Sequence, residues 1–218
     1  MTMPSWQIQH SVGDAGTFHK RELAVGQRIA TFFAVESPTL VLGSSQRAES
    51  VDAVSAARHG IDIVRRRSGG GGVLLWPGEF VWLDLEIPQG DDLWSDDVGR
   101  SMWWVGDLWR DALADLEPSA AVYHGHLAQT RWSSDVCFAG AGPGEVLVED
   151  AKLVGVSQRR TRHSARFQTM IHLRWRPDEV ASLVAAGPAA DELAPLVRIC
   201  AASAEDIMAR VTAEIGRV

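Results

Sequence analysis

Lys152 and Cys137 are the two residues whose setting most suggests chemistry. Of the 21 basic residues, only Lys20 and Lys152 are lysines, so arginine serves almost everywhere a cation is needed. Lys20 reads as a surface cation. Lys152 is flanked by apolar residues, where a compact ammonium can do what a planar guanidinium cannot: press one charge against oxygens that become negative during acyl or phosphoryl chemistry. Cys137 opens the run that leads to it: Cys137-Phe138, six residues, Glu145, six residues, Lys152, two residues, Gly155, two residues, Gln158. A thiolate beside an ammonium is an activated nucleophile. A lone cysteine is as readily a small buried apolar residue, and both readings of Cys137 stand. Cys200, in an apolar stretch, reads as core.

A second stretch is suited to holding an anion. Arg65, Arg66 and Arg67 run directly into Ser68-Gly69-Gly70-Gly71-Gly72. Glycines let backbone N–H groups approach and wrap an anion, and flanking arginines add charge. The stretch has neither the order of a P-loop nor the spacing of a dinucleotide-binding turn before a helix. A flexible linker is the plain alternative.

The two stretches, taken in order, resemble a known pattern. A strand, Arg-Arg-x-Ser-Gly-Gly-Gly, and a later Ala-Lys-x-x-Gly-x-x-Gln-Arg is similar to the lipoate–protein ligases of the biotin/lipoate protein ligase superfamily. The earlier Pro38-Thr39-Leu40-Val41-Leu42-Gly43-Ser44-Ser45-Gln46 is similar to that family's strand ending at Gly and Gln. The resemblance runs from about Ser37 to Leu173.

It implies that Gly69 to Gly72, with Ser68, cradle an acyl carboxylate or acyl-phosphate, and that Lys152 points at the phosphate and carbonyl oxygens. Gln46, Arg66 and Arg67 would line the pocket, Gly155 and Gln158 would shape it, and apolar walls would take an aliphatic tail. No residue is assigned to a metal site. The implied reaction attaches a lipoyl or octanoyl group to a lysine of an acceptor protein: a lipoyl domain of a 2-oxoacid dehydrogenase or the glycine-cleavage H protein. In the ligase form, ATP with magnesium activates lipoate or octanoate as an acyl-adenylate. In the related cysteine-dependent octanoyltransferases, a Cys-Phe pair at this spacing carries the acyl group, received from acyl carrier protein. The unbroken glycine run favours the ligase. A non-catalytic acyl- or nucleotide-binding relative is a further alternative, and biotin transfer is disfavoured because its Gly-Arg-Gly-Arg-like loop is absent. The sequence departs from the family pattern at Leu75 and Trp76, where a His-Asp pair is usual, at Gly78-Glu79, and at Thr169 in place of a His. With a short stretch after Leu173, no C-terminal accessory domain is expected, and a separate accessory subunit is one way to supply its role.

The elements that must position these residues are readable from pattern. Asp14 to Phe33 and Glu49 to His59 are expected as helices, Thr39 to Leu42 and Ile61 to Val64 as strands. Val73 to Trp76 and Phe80 to Ile87 read as strands around a Pro77-Gly78 turn. Ser95 to Leu116 reads as the clearest helix, with Asp96 and Asp97 at its N-terminus. Short β-runs follow near Asp135 to Phe138, Val146 to Val148, Leu153 to Ser157 and Phe167 to Leu173. The tail returns to helix at Pro177 to Ala186 and Ala204 to Ile215, the latter capped by Ser203. Together they predict one α+β domain over 1–218, with a mixed, mostly antiparallel sheet flanked by helices. Most of the nine tryptophans read as packing residues.

Composition narrows the classes. With 46% apolar and 22% charged residues the chain has the make-up of a soluble globular protein. A net charge of -7 argues against a general nucleic-acid or membrane-surface binder. Two cysteines are too few for a disulfide scaffold, and Met1 to His10 lacks the marks of a leader, so the expected location is cytoplasmic.

Overall fold

The computed structural model describes residues 5–24 and 26–218; residues 1–4, part of the stretch read for a leader, lie outside the described residues. Among the described residues ten strands form two sheets. The larger contains β1 (Gln7–Gly13), β2 (Ile29–Val35), β6 (Phe80–Pro88), β7 (Ala120–Val122), β8 (Val146–Val148), β9 (Ala151–Arg160) and β10 (Ser164–His172), in the order β1-β2-β6-β10-β9-β8-β7. Its pairs are antiparallel except β1 with β2. The smaller sheet has the order β4-β3-β5, from β3 (Thr39–Leu42), β4 (Asp62–Arg65) and β5 (Val73–Leu75). This is the mixed, mostly antiparallel α+β architecture expected from pattern.

Alternation along the central strands divides the interior. On β6, Val81, Leu83, Leu85 and Ile87 face the main core, where α3 (Trp103–Ala112) supplies Val105, Leu108 and Trp109 and α6 (Ala204–Ile215) supplies Ile207, Val211 and Ile215. On β10, Phe167 and Ile171 join the same cluster. The intervening residues, Phe80 and Trp82 on β6 and Met170 on β10, pack with Val41 and Leu75 of the small sheet and Phe18 of α1 (Ala15–Lys20). Both faces of the large sheet are therefore covered, and its two central strands are buried along almost their whole length. A third apolar cluster backs the small sheet, joining Leu40, Leu42 and Leu74 to Ala56 of α2 (Ala53–Arg58), Val180 and Leu183 of α4 (Pro177–Leu183) and Leu193 of α5 (Ala190–Leu193).

Several expected boundaries move. The stretch from Asp14 to Phe33 is helical only over α1; Ile29 to Phe33, rich in β-branched and aromatic residues, pairs with β6 as strand. Between Ser95 and Leu116 the α-helix is confined to α3, preceded by a 3-10 turn at Arg100–Met102. Asp97 does not open an α-helix but accepts from the amides of Gly99 and Arg100 at 2.9 and 3.0 Å. Asp135 to Phe138 is not a strand: Cys137–Ala139 forms a 3-10 turn, attached to the glycine stretch by one bridge between Gly72 and Val136. The helix after Glu49 begins only at Ala53, capped by Asp52 on the Ser55 amide, while α4 ends at Leu183. The α6 cap is as expected, with Ser203 accepting from the Asp206 amide. No helix among the described residues is long and apolar enough to cross a membrane.

Candidate active site

Lys152 enters the site because β9 pairs on both sides, fixing its side chain against the 3-10 turn that bears Cys137. Its ammonium donates to Glu145 Oε1 at 2.8 Å and to the Cys137 carbonyl at 2.7 Å, and lies 2.7 Å from Glu145 Oε2. Glu145 also accepts from the amides of Gly142 at 2.7 Å and Val156 at 3.2 Å. Burial pushes this carboxyl above its ordinary pKa, against the pull of Lys152 and the two amides. Lys152 is 2% exposed, which rules out a snorkelling surface cation. Glu145 is the partner that sequence reasoning left without a role, although it stood in the spacing; apolar flanks around Lys152 were the signal that a buried carboxylate must answer it.

The glycine stretch is held from below. Arg66, 4% exposed, donates to the carbonyls of Val41 at 3.2 Å, Gly69 at 2.6 Å and Gly71 at 2.9 Å. Its guanidinium thus grips the loop's carbonyls, which turns it from an anion ligand into a positioning residue. The amides of Gly69, Gly70 and Gly71 donate to no protein acceptor among the described residues, whereas the Gly72 amide is spent on Asp135 O at 2.7 Å. Gly70 has φ +95°, which glycine tolerates. Gly43 touches the loop so closely that a Cβ there would lie 1.8 Å from Gly70 O. Gln46 Oε1 accepts from the Gly43 amide at 3.3 Å, and its Nε2 donates to Asp135 O at 3.2 Å and Ser50 Oγ at 3.1 Å.

Two cavities meet here. A wide cleft of about 690 Å³ is lined by Gln46, Gly69, Gly70, Gly71, Lys152 and Gln158, among others. A narrow slot of about 60 Å³ lies between the two sheets, walled by Val41, Leu75, Trp82, Phe138, Gly155 and Met170. Cys137, Val156 and Ser157 border both. Cys137 Sγ is 3.8 Å from Arg66 Nη2. Gly155 leaves the slot open, since a Cβ would sit 3.1 Å from the Phe138 ring.

Not every expected residue reaches these cavities. Arg67 pairs with Glu22 at 3.1 Å and borders neither. Gly72 lies behind the cleft, against Val136. Ser68 is buried under the loop and donates to Gln168 Oε1 at 2.9 Å. Gln158 bonds Ser101 at the cleft's rim. Of the departures, Leu75 is a wall of the slot, Thr169 lines it while donating to Leu83 O at 2.8 Å, and Trp76 lies under the Arg176 guanidinium, 4.2 Å from it. Glu79 is bound by Arg176. His19 and Gln168, both in the slot's lining, were not singled out from sequence; 149 residues separate them, and no local pattern joins them.

The sequence matches the family model for the lipoyl protein ligase A/B catalytic domain over residues 17–215. No curated protein matches it. Among solved structures, protein Ta0514 of T. acidophilum with bound lipoic acid is similar at 15% identity and a TM-score of 0.75, over 99% of this chain and 85% of that one. Lipoate-protein ligase A bound with ATP is similar at 14% identity and a TM-score of 0.75, with the same coverage. The bipartite lipoate protein ligase of Thermoplasma acidophilum, solved in work that includes its E2 lipoyl domain, is 15% identical with a TM-score of 0.74, over 99% and 83% of the two chains. Identities this low show likeness of fold.

Proposed function

The chain belongs to the family of lipoyl protein ligase A/B catalytic domains, and on that premise we propose that it is a lipoate–protein ligase-like enzyme. It attaches a lipoyl or octanoyl group to a lysine of an acceptor protein through an acyl-adenylate. The observation that carries this reading is the junction of the cavities: an apolar slot opens into a cleft bordered by Lys152 and by three glycines with unspent amides. The slot suits an aliphatic tail. The cleft is far larger than an acyl head needs and suits a nucleotide.

In the first step a carboxylate oxygen attacks the α-phosphorus of ATP and pyrophosphate leaves. In the second the acceptor's amine attacks the acyl carbon, the bond from that carbon to the phosphate oxygen breaks, AMP leaves and the amine loses a proton. The amides of Gly69 to Gly71 would receive phosphate or carboxylate oxygens. An ammonium has three donors; Glu145 and the Cys137 carbonyl take two directions, and the third would meet the oxygen on which charge builds. Magnesium would enter with the phosphates, since no three His, Cys, Asp or Glu side chains gather as a metal site among the described residues. A lipoyl domain of a 2-oxoacid dehydrogenase, or the glycine-cleavage H protein, is the acceptor this reading requires.

One observation favours a second reading. Cys137 Sγ lies at the junction beside the Arg66 guanidinium, a place from which a thiolate could take octanoyl from an acyl carrier protein as a thioester. Incubation with apo lipoyl domain and either octanoate plus ATP or octanoyl carrier protein, read by intact mass, separates the two. Under the adenylate reading Cys137→Ser keeps ATP-dependent modification with only a packing penalty. An octanoyl group trapped on Cys137 without ATP would make the protein a transferase, and no modification from either donor would leave a binding relative.

A further inference from the structure

The narrow slot is not lined by hydrocarbon alone. His19, 5% exposed, stacks on Trp82 with ring centroids 4.7 Å apart, and both residues line the slot with Gln168, Ser157 and Thr169. A chain of hydrogen bonds runs beneath the surface: Ser157 Oγ donates to Ser68 Oγ at 3.1 Å, Ser68 Oγ donates to Gln168 Oε1 at 2.9 Å, and Gln168 Nε2 lies 3.2 Å from His19 Nδ1. The structure places the Gln168 amide with Oε1 on the Ser68 hydroxyl and Nε2 on the imidazole. An amide NH2 can only donate, so Nδ1 accepts and the imidazole proton resides on Nε2. Burial, with the Arg66 and Arg166 cations nearby, holds the His19 pKa down at about 3, so the ring is neutral at ordinary pH.

The slot's hydroxyls and the Arg66 guanidinium are engaged. The Thr169 hydroxyl is given to Leu83 O, that of Ser157 to Ser68, and the terminal nitrogens of Arg66 to the carbonyls of Val41, Gly69 and Gly71. His19 Nε2 has no protein partner among the described residues. A plain hydrocarbon chain pressed into the slot would desolvate that donor and leave it unsatisfied, which is unfavourable.

We propose that His19 is a specificity-determining residue whose Nε2–H bonds an acceptor carried along the acyl chain. The preferred acid is then a medium-chain acid with an oxygen function on its chain, an oxo or hydroxyl group, rather than an unsubstituted one. This rests on the acyl-transfer reading of the site, whose slot it makes more selective.

The test is titration calorimetry of the full chain with octanoate, lipoate and the series of oxo-octanoates in which the ketone moves one carbon at a time. One oxo acid should bind wild type about ten- to a hundred-fold more tightly than octanoate. In His19→Phe that preference should vanish while octanoate still binds. His19→Gln, which keeps a donor, should retain part of it, and Gln168→Leu, which frees the tautomer, should weaken it. The proposal is overturned if octanoate or lipoate binds wild type at least as tightly as every oxo acid, or if the preference survives in His19→Phe; acid binding as such would then still stand. Absence of binding by every acid would overturn the acyl-transfer reading and this proposal together.

Discussion

Replacing Lys152 by alanine removes both a charge the proposed reaction needs and half of a buried ion pair. Glu145 would be left in the interior with only two amides, so Lys152→Ala should abolish acceptor modification and also cost about 3–5 kcal/mol of stability, read by urea unfolding. Lys152→Met combined with Glu145→Gln should recover much of that stability and none of the activity. Lys152→Arg should fail as well, because a planar fork cannot occupy the place of a compact ammonium between Glu145 and the Cys137 carbonyl; near-normal turnover by the Arg variant would remove Lys152 from the mechanism. His172 carries a different signature. Buried without a partner for Nε2, its imidazole is held down to a pKa of about 3 by burial, from 6.5. Between those values the unfolded chain binds a proton that the folded one refuses. This contribution is therefore complete above pH 6.5 and is lost as pH falls, at about 1.4 kcal/mol per unit. His172→Phe should gain on wild type by that slope from pH 6 to pH 4, and parallel stability curves would show that His172 does not set it.

Elements were legible where a strand or helix commits to one pattern. The short apolar run of β3, the alternation leading into β4 and the capped α6 all announce themselves. The stretch before Phe33 did not, because apolar residues at mixed spacing satisfy a helix until tertiary pairing with β6 claims them as strand. Edge strands are harder still: β1 is largely exposed and β7 has three residues, so neither shows a buried face to read. The glycine stretch was visible as a candidate anion loop, but the reason for its exact course was not. It lies in the contact of Gly43 with Gly70 O, a touch between the residue that follows β3 and the middle of the loop joining β4 to β5. Gly43→Ala should displace the loop and lower both melting temperature and affinity for an acyl-adenylate analogue. Gly70→Val should do so through its φ of +95° and a Cβ 2.9 Å from Arg66 Nη2. Gly71→Val should do so against the Val136 amide, 2.7 Å from its Cβ. Gly69→Ala meets nothing within 4 Å and should fold as wild type. Unchanged affinity in the Gly43 and Gly70 variants would make the loop a mere linker.

Across the whole molecule, the two sheets enclose the slot, and polar residues that no single segment predicts meet there. The motif residues around Lys152 were readable because β9 and the segment leading into it from the Cys137 turn carry them in one run; His19 and Gln168 were not, since only the closed fold makes them neighbours. A second long-range tie sits away from the site. Arg28, fully buried, grips Asp91 through Nε at 2.9 Å and Nη2 at 2.8 Å and reaches Val218 O with Nη1 at 2.7 Å. Arg28→Ala should cost about 3–5 kcal/mol by stranding a buried carboxylate, with turnover per folded molecule unchanged; a loss below about 1 kcal/mol would mean that water reaches Asp91. The junction at Cys137 has a practical corollary. Cys200 is 2% exposed while Cys137 is partly open, so a small thiol-reactive dye will tag one position quickly and the other only on unfolding. Whatever fills either cavity must crowd that sulfur, and the protein therefore carries its own occupancy gauge, with the rate of tagging falling as a bound molecule shields it.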